Sequence, residues 1–223
     1  MAMLKMVVFD MAGTTVNEDN VVYKTLHRTI VHAGLDISLG EVLRLGAGKE
    51  KKQAIMDILR EYGTDFDDVE DIYHYFINHL DRAYQELRPT AMPGAETTFA
   101  LLRDKGIKVV LNTGYDRKTA LLLLQKLNWE EERDYDLLVT ADQVRQSRPH
   151  PDMILKAMAH FGIENGAEVA KIGDSTVDVE EGKRAGCSLN IGITTGAHTH
   201  EQLQAAQPTH IIAHLDALVG LIA

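Results

Sequence analysis

The side chains of this chain best suited to chemistry are Asp10, Thr113, Arg148 and the pair Asp174 and Asp178. Asp10 ends the apolar run Met6-Val-Val-Phe9 and is followed by Met-Ala-Gly-Thr-Thr. Thr113 lies in Asn112-Thr-Gly114, just after Ile107-Lys-Val-Val-Leu111, and Asp174 follows Val169-Ala-Lys-Ile-Gly173. A carboxylate where a strand opens into a loop can act as a nucleophile, a metal ligand, or both. A hydroxyl beside free amides, as around Thr113-Gly114, suits phosphoryl oxygens, and Arg148 can neutralise charge that develops on them. Asp10 and Asp174 offer the oxygen ligands that Mg²⁺ takes while it keeps waters and bridges to a phosphate. Asp178 lies one helical turn beyond Asp174 and faces the same way. Singly, each of these residues also suits a turn, a helix cap or a helix-dipole partner. Their shared position at strand ends argues for one site.

The elements that must bring them together follow from hydrophobic periodicity. Strands are expected at 6–9, 107–111, 137–140, 169–172, 188–193 and 210–213, with helices at 96–105, 117–127, 152–161, 177–185 and 201–206. That alternation implies right-handed crossovers and a parallel sheet, whose strand ends share the rim where α/β sheets bind ligands. The stretch from 17 to 88 interrupts the pattern. It reads as helices at 21–33, 49–62 and 67–87 with no strand, closed by Pro89 and Pro93-Gly94. The expectation is an α/β core of residues 1–16 and 89–223 and a helical cap of residues 17–88, inserted after the first strand.

Composition narrows the function. With 223 residues, 45% of them hydrophobic, the chain is large enough for a substantial core. A net charge of -10 argues against a nucleic-acid surface but leaves room for a small anionic substrate held by local positive groups. The first apolar run is short and runs into Asp10, unlike a signal peptide, and no apolar stretch has the length of a bilayer span. Cys187 is the only cysteine, so there is no intrachain disulfide, and a cytoplasmic setting is expected. His198-Thr-His200 reads as a polar loop, and Tyr73, Tyr75 and Phe76 as cap packing or a partner surface.

The order Phe9-Asp-Met-Ala-Gly-Thr-Thr15, Asn112-Thr-Gly114, Ser147-Arg-Pro-His-Pro151 and Gly173-Asp-Ser-Thr-Val-Asp178 resembles the haloacid dehalogenase superfamily. The resemblance covers essentially the whole chain. It implies a Rossmann-like parallel-sheet core with a helical cap, dependence on Mg²⁺, and Asp10 as a nucleophile that forms an aspartyl-phosphate. The metal would be held by Asp10, Asp174 and Asp178 with the Ala12 backbone carbonyl. Thr113 and Arg148 would act on the phosphoryl group, and Ala12, Gly13, Gly114 and Tyr115 would touch the substrate.

Ala12 and Lys49 then narrow the chemistry. Most phosphatases of that superfamily carry an aspartate two residues after the nucleophile to protonate the departing alcohol. Ala12 cannot do this, so ordinary ester hydrolysis is disfavoured. Cleavage of a C–P bond needs an electron sink instead, and a lysine makes one by condensing with an aldehyde. Lys49, after Gly46-Ala-Gly48 at the start of a cap helix, is the expected lysine, with Lys52 and the helix N-terminus disfavouring its charge. Asp10-x-Ala12-Gly-Thr-Thr, Leu45-Gly-Ala-Gly-Lys49, Tyr115 and Arg148 are together similar to the phosphonoacetaldehyde hydrolase (phosphonatase) family and its phosphonatase-like sister group. Lys52 stands where phosphonatases have a histidine and Asn20 where they have a cysteine. That resemblance implies a Schiff base on the cap lysine and dimers formed through the cap. Two alternatives stay open: a phosphate-ester phosphatase, and a non-catalytic phosphate-binding module.

Overall fold

The computed structural model describes residues 3–47, 49–63 and 69–222. Its strands are β1 (Met6–Asp10), β2 (Val16–Asn17), β3 (Thr90–Ala91), β4 (Lys108–Thr113), β5 (Leu137–Thr140), β6 (Val169–Gly173), β7 (Leu189–Ile193) and β8 (His210–Ile212). The helices are α1 (Val21–His32), α2 (Leu39–Gly46), α3 (Lys51–Glu61), α4 (Val69–Glu86), α5 (Ala95–Asp104), α6 (Arg117–Leu127), α7 (Asp152–Phe161), α8 (Thr176–Arg184), α9 (His200–Ala205) and α10 (Leu218–Leu221). Six strands form one parallel sheet in the order β5-β4-β1-β6-β7-β8. The chain winds outward from β1 through β4 to β5, then returns to β6 on the other side of β1. Direction therefore reverses beside β1, and Asp10 ends the strand at that switch point, where the crevice of an open α/β sheet lies.

β1 is buried along its whole length because both faces of the sheet are covered. Val7 and Phe9 point into the layer that holds Phe99 and Leu102 of α5, while Met6 and Val8 point into the opposite layer against Met153, Ile154 and Ala157 of α7. This two-residue alternation places each side chain of β1 in a different layer from the next. Phe9 meets Phe99 edge-on with ring centroids 5.1 Å apart, and Phe99 meets Trp129 at 5.3 Å. Truncating Phe9 to alanine would cost about 3–5 kcal/mol and would loosen the strand that carries Asp10.

Helices α1 to α4 lie between β2 and β3, which pair antiparallel with Val16 opposite Ala91 and Asn17 opposite Thr90. Strands of two residues carry no readable periodicity, and the sequence reading has none here. It also has no helix at α2, which Ser38 caps by accepting from the Glu41 N–H at 3.2 Å. Gly46 of α2 packs so closely on α3 that an added Cβ would lie 3.2 Å from the Ala54 methyl. The helix expected at 49–62 starts instead at Lys51, because the Glu50 carboxylate accepts from the Lys52 and Gln53 amides, both at 2.9 Å. Of the helix expected at 67–87, residues 67 and 68 lie outside the described residues, as does Gly48. Among the described residues no helix is long and apolar enough to cross a membrane.

Candidate active site

Thr15 donates its hydroxyl to the Asp10 carbonyl at 2.9 Å, and the Thr14, Thr15 and Val16 amides turn back onto the Met11 carbonyl. This tight turn, with Gly13 at φ 77°, aims Asp10 across the rim. Asp10 is 5% exposed, and its Oδ1 is 2.8 Å from Nη2 of Arg148. Nη1 of the same guanidinium is 2.5 Å from Oδ1 of Asp178. One arginine thus holds the end of β1 against the start of α8. Thr113 ends β4, and its hydroxyl accepts from the Tyr115 N–H at 3.2 Å. Gly114 and Tyr115 line the same small cavity as Asp10, Ala12, Arg148 and Asp174.

Beneath these residues lies a network that the sequence reading lacks. Lys171 of β6 is fully buried, with Nζ 3.0 Å from Asp178 and 3.3 Å from Glu181, and it donates to Asn112 Oδ1 at 2.6 Å. The Asn112 amide donates to both Glu181 oxygens at 2.9 Å, and Ser175 donates its hydroxyl to Asp178. Burial pulls the Asp178 carboxyl upward, but Arg148 and Lys171 outweigh it and hold the group down at about 2. The signal was present in the sequence: a lysine inside the apolar run Val169-Ala-Lys-Ile172, and a glutamate one turn past Asp178.

Asp174 is different. It accepts from the Ala197 N–H at 2.6 Å and, among the described residues, has no cationic side chain within ion-pair distance. Burial pushes its carboxyl well above the usual range, and Asp10 and Asp178 add to the effect. Burial likewise raises the Asp10 carboxyl, against the opposing pull of Arg148. Oxygens of Asp10, Asp174 and Asp178 lie within 4.8 Å of one another. A Cβ at Gly13 or Gly196 would overlap the Asp174 carboxylate, so both glycines are needed for its position. Three hard oxygen donors and an unbalanced buried carboxylate fit a divalent cation such as Mg²⁺. Asp178 is already bound by Arg148, Lys171 and Ser175, so Asp10 and Asp174 are the freer donors.

The lysines of this region take three different positions. Lys49 precedes α3, and its Nζ lies 2.5 Å from Asp57, both side chains being partly exposed. It lines an outer cleft of about 620 Å³ between helices α3 and α4 and the rim. Lys52, expected to disfavour charge on Lys49, is paired with Glu70 and lies over the Tyr73 ring at 5.9 Å. The lysine that lines the cavity with Asp10 and Ala12 is Lys51. It is 8% exposed, its Nζ donates to the Lys49 carbonyl at 3.0 Å, and it lies 4.8 Å from the Tyr23 ring centre. Burial first, and Arg148 second, pull its ammonium down to about 8. The reason is helical phase: Lys51, Ala54, Ile55 and Ile58 form one buried stripe of α3, and Lys49 lies outside the helix. The cavity left among these groups is about 20 Å³, the room of a single water.

Two further sequence readings gain detail in the structure. His198 lies in the expected loop and is buried there at 6% exposure, its Nδ1 accepting from the Thr176 N–H at 3.0 Å. Phe76 of α4 is buried, whereas Tyr75 stacks on His32 and His79 at 4.3 and 3.9 Å.

A family model described as haloacid dehalogenase-like hydrolase matches residues 4–186. "Probable phosphatase IndB" of Dickeya dadantii is 28% identical over 219 residues, which cover 98% of this chain and 93% of that protein. The phosphonoacetaldehyde hydrolase of Bordetella pertussis is 31% identical over 196 residues, 82% of this chain and 70% of that one. Among solved structures, a phosphonoacetaldehyde hydrolase-like protein from Oleispira antarctica matches with a TM-score of 0.84 at 22% identity, covering 98% of this chain and 91% of its own, a likeness of fold. A parallel sheet with its carboxylates at the switch point, together with a family match over most of the sequence, shows that this chain belongs to the haloacid dehalogenase-like hydrolases.

Proposed function

We propose that this hydrolase cleaves the C–P bond of phosphonoacetaldehyde or a related carbonyl phosphonate, with Lys51 forming the imine and Asp10 capturing the phosphoryl group. One observation carries the reading: a buried lysine with a lowered ammonium pKa shares the nucleophile's cavity, and the neighbouring general-acid position is Ala12. An alkoxide leaving from phosphorus would find no side-chain acid at Ala12. A carbon leaving group needs none at that instant, because a protonated imine takes up its electron pair as an enamine.

In this reading the Lys51 amine condenses with the aldehyde and releases water. Asp10 then attacks phosphorus and the C–P bond breaks toward the iminium, leaving an enamine on Lys51 and an aspartyl-phosphate on Asp10. Water hydrolyses both, returning acetaldehyde and phosphate. Arg148 neutralises phosphoryl oxygens and holds Asp10 in line, while Thr113, Gly114 and Gly13 present a hydroxyl and backbone amides to them. Asp10, Asp174 and the Ala12 carbonyl, backed by Asp178, would hold Mg²⁺, which when bound neutralises phosphoryl charge. Helices α1 to α4 would act as a cap, hinged where β2 meets β3, that opens to admit substrate and closes Lys51 onto the rim. The Tyr75 face of that cap is the proposed dimer contact, and the single buried thiol of Cys187 suits a reducing cytoplasm.

Borohydride trapping with phosphonoacetaldehyde, followed by peptide mass mapping, tests the proposal. An adduct on Lys51 supports it, and an adduct on Lys49 returns the role to that residue. No adduct with a substrate that is turned over sinks the imine route. A phosphate-ester phosphatase is the second reading, favoured by the relative named a phosphatase, which this chain matches over 93% of its length. That reading expects Lys51→Ala to keep its turnover of phosphomonoesters.

A further inference from the structure

The small cavity that holds Asp10 adjoins a much larger space. Lys51, Gly114, Tyr115 and Arg148 line both that cavity and the outer cleft of about 620 Å³. A cleft of this size ordinarily holds a drug-sized molecule. Phosphonoacetaldehyde has only two carbons and an oxygen beyond its phosphonate, so most of the cleft would stay unfilled. Part of the lining is apolar, where Tyr73, Ile77 and Leu80 recur at helical spacing on α4. Another part is the segment between β5 and α7, whose backbone is fixed twice: the Gln146 N–H donates to Asp152 at 3.1 Å, and the His150 N–H to the Ser147 carbonyl at 3.1 Å. Two arginines leave this short segment. Arg148 is committed to Asp10 and Asp178, whereas Arg145 lines the outer cleft and has no hydrogen bond or ion pair among the described residues. The carboxylates of the lining are all engaged. Glu50 caps α3, Asp57 pairs with Lys49, Asp116 accepts from the Thr119 N–H at 2.9 Å, and Asp142 accepts from the Arg117 N–H at 3.2 Å. Three of them thus answer helix N-termini and the fourth a lysine, which leaves the Arg145 guanidinium without an anion.

We propose that Arg145 makes the outer cleft a second subsite, which takes a carboxylate carried on the organic part of the substrate. The inference rests on the reading above for the phosphonate end, held at Asp10 and Arg148, and it narrows the substrate to a carbonyl phosphonate that is also a carboxylic acid. A carboxylate fits this lining better than a second phosphate does. One guanidinium matches its single charge and both its oxygens side by side. A phosphate would bring about two charges against one free cation, with the lining carboxylates close by. The stem between the two anions would lie along the apolar stripe of α4, where an extended carbon chain loses water. Arg145 touches no reacting atom in this scheme, so it sets specificity and leaves the bond-breaking steps unchanged.

Equilibrium binding tests this without turnover and without an imine. The full chain, in Mg²⁺ buffer, is titrated calorimetrically with the ω-phosphono derivatives of propionate, butyrate and pentanoate, each beside the plain alkylphosphonate of the same carbon count. Expected is a carboxylate that binds about 10- to 100-fold more tightly than its alkyl counterpart at the best-fitting length. Arg145→Gln should bring the two within about twofold while leaving the alkylphosphonate where it was. Arg145→Lys, which keeps the charge but not the fork, should fall between. Both changes fall on an exposed side chain and leave the fold intact. Equal affinities at every length, or an advantage that Arg145→Gln leaves in place, would overturn the subsite while the imine reading stands. A carboxylate advantage that depends on Arg145, in a protein that gives no borohydride adduct at Lys51, would keep the subsite and overturn the imine. Binding of no phosphonate at all by the unaltered protein would overturn both.

Discussion

The floor and the roof of this site are both buried and both ionisable, yet they are built in opposite ways. In the floor, Lys171, Asp178, Glu181, Asn112, Ser175 and Arg148 satisfy one another through charge-assisted hydrogen bonds. In the roof, Lys51 donates to a carbonyl, Glu18 accepts from an amide, and neither has an ion-pair partner among the described residues. A paired network resists changes of protonation, because every proton moved would strand a partner. Groups held near their midpoints change charge easily. The floor is suited to fixing Asp10, whereas the roof leaves its two ionisable groups without ion-pair partners among the described residues.

The comparison can be broken, beginning with the largest expected effect. Lys51→Met should lower kcat/KM on phosphonoacetaldehyde by about a thousandfold or more while the protein stays folded. Steady-state kinetics beside a urea melt check both halves, and retained turnover would mean that the roof does no chemistry. Lys171→Met should act on stability instead, since it removes the buried cation that Asp178 and Glu181 share. A loss of about 3–5 kcal/mol is expected in urea unfolding, and a loss below about 1 kcal/mol would show that the floor is not a tightly coupled unit.

Glu18→Gln sharpens the contrast through its sign. The Glu18 carboxyl is raised from 4.5 to about 7, so the folded state keeps a proton that the unfolded state releases in that window. Its contribution is favourable below 4.5 and is lost as pH rises through 7. Removing the carboxyl should therefore make the variant gain on the parent by about 2–3 kcal/mol between pH 5 and pH 8, read from paired urea melts. A constant difference across that range would contradict it. Smallest of all, Lys49→Ala breaks a partly exposed pair with Asp57 and should cost less than about 1 kcal/mol. Its kcat/KM should stay within about threefold, provided Lys51 carries the imine.

Much of this was legible beforehand, for reasons that differ by residue. Asp10, Thr113 and Asp174 were found because buried strands are short apolar runs and the residue after each run must sit on the rim. Lys171 and Glu181 were overlooked because the runs containing them were read for their apolar members. Helix α3 begins at Lys51, two residues after Lys49, and a shift of two residues turns a helical stripe by more than half a turn, so the side chain on the buried face is that of Lys51. The stripe Lys51, Ala54, Ile55, Ile58 was there to be read once Glu50 was taken as the cap.

What the amino-acid order settled alone was the parallel α/β winding, the helical insertion after the first strand and the carboxylates at the strand ends. Each of those is a local pattern repeated along the chain. Which lysine shares a cavity with Asp10, and which charges are paired, was decided only by packing. Those answers depend on the rotation of α3 against the rim and on contacts between residues such as Asn112 and Glu181, far apart in sequence, which no local periodicity encodes.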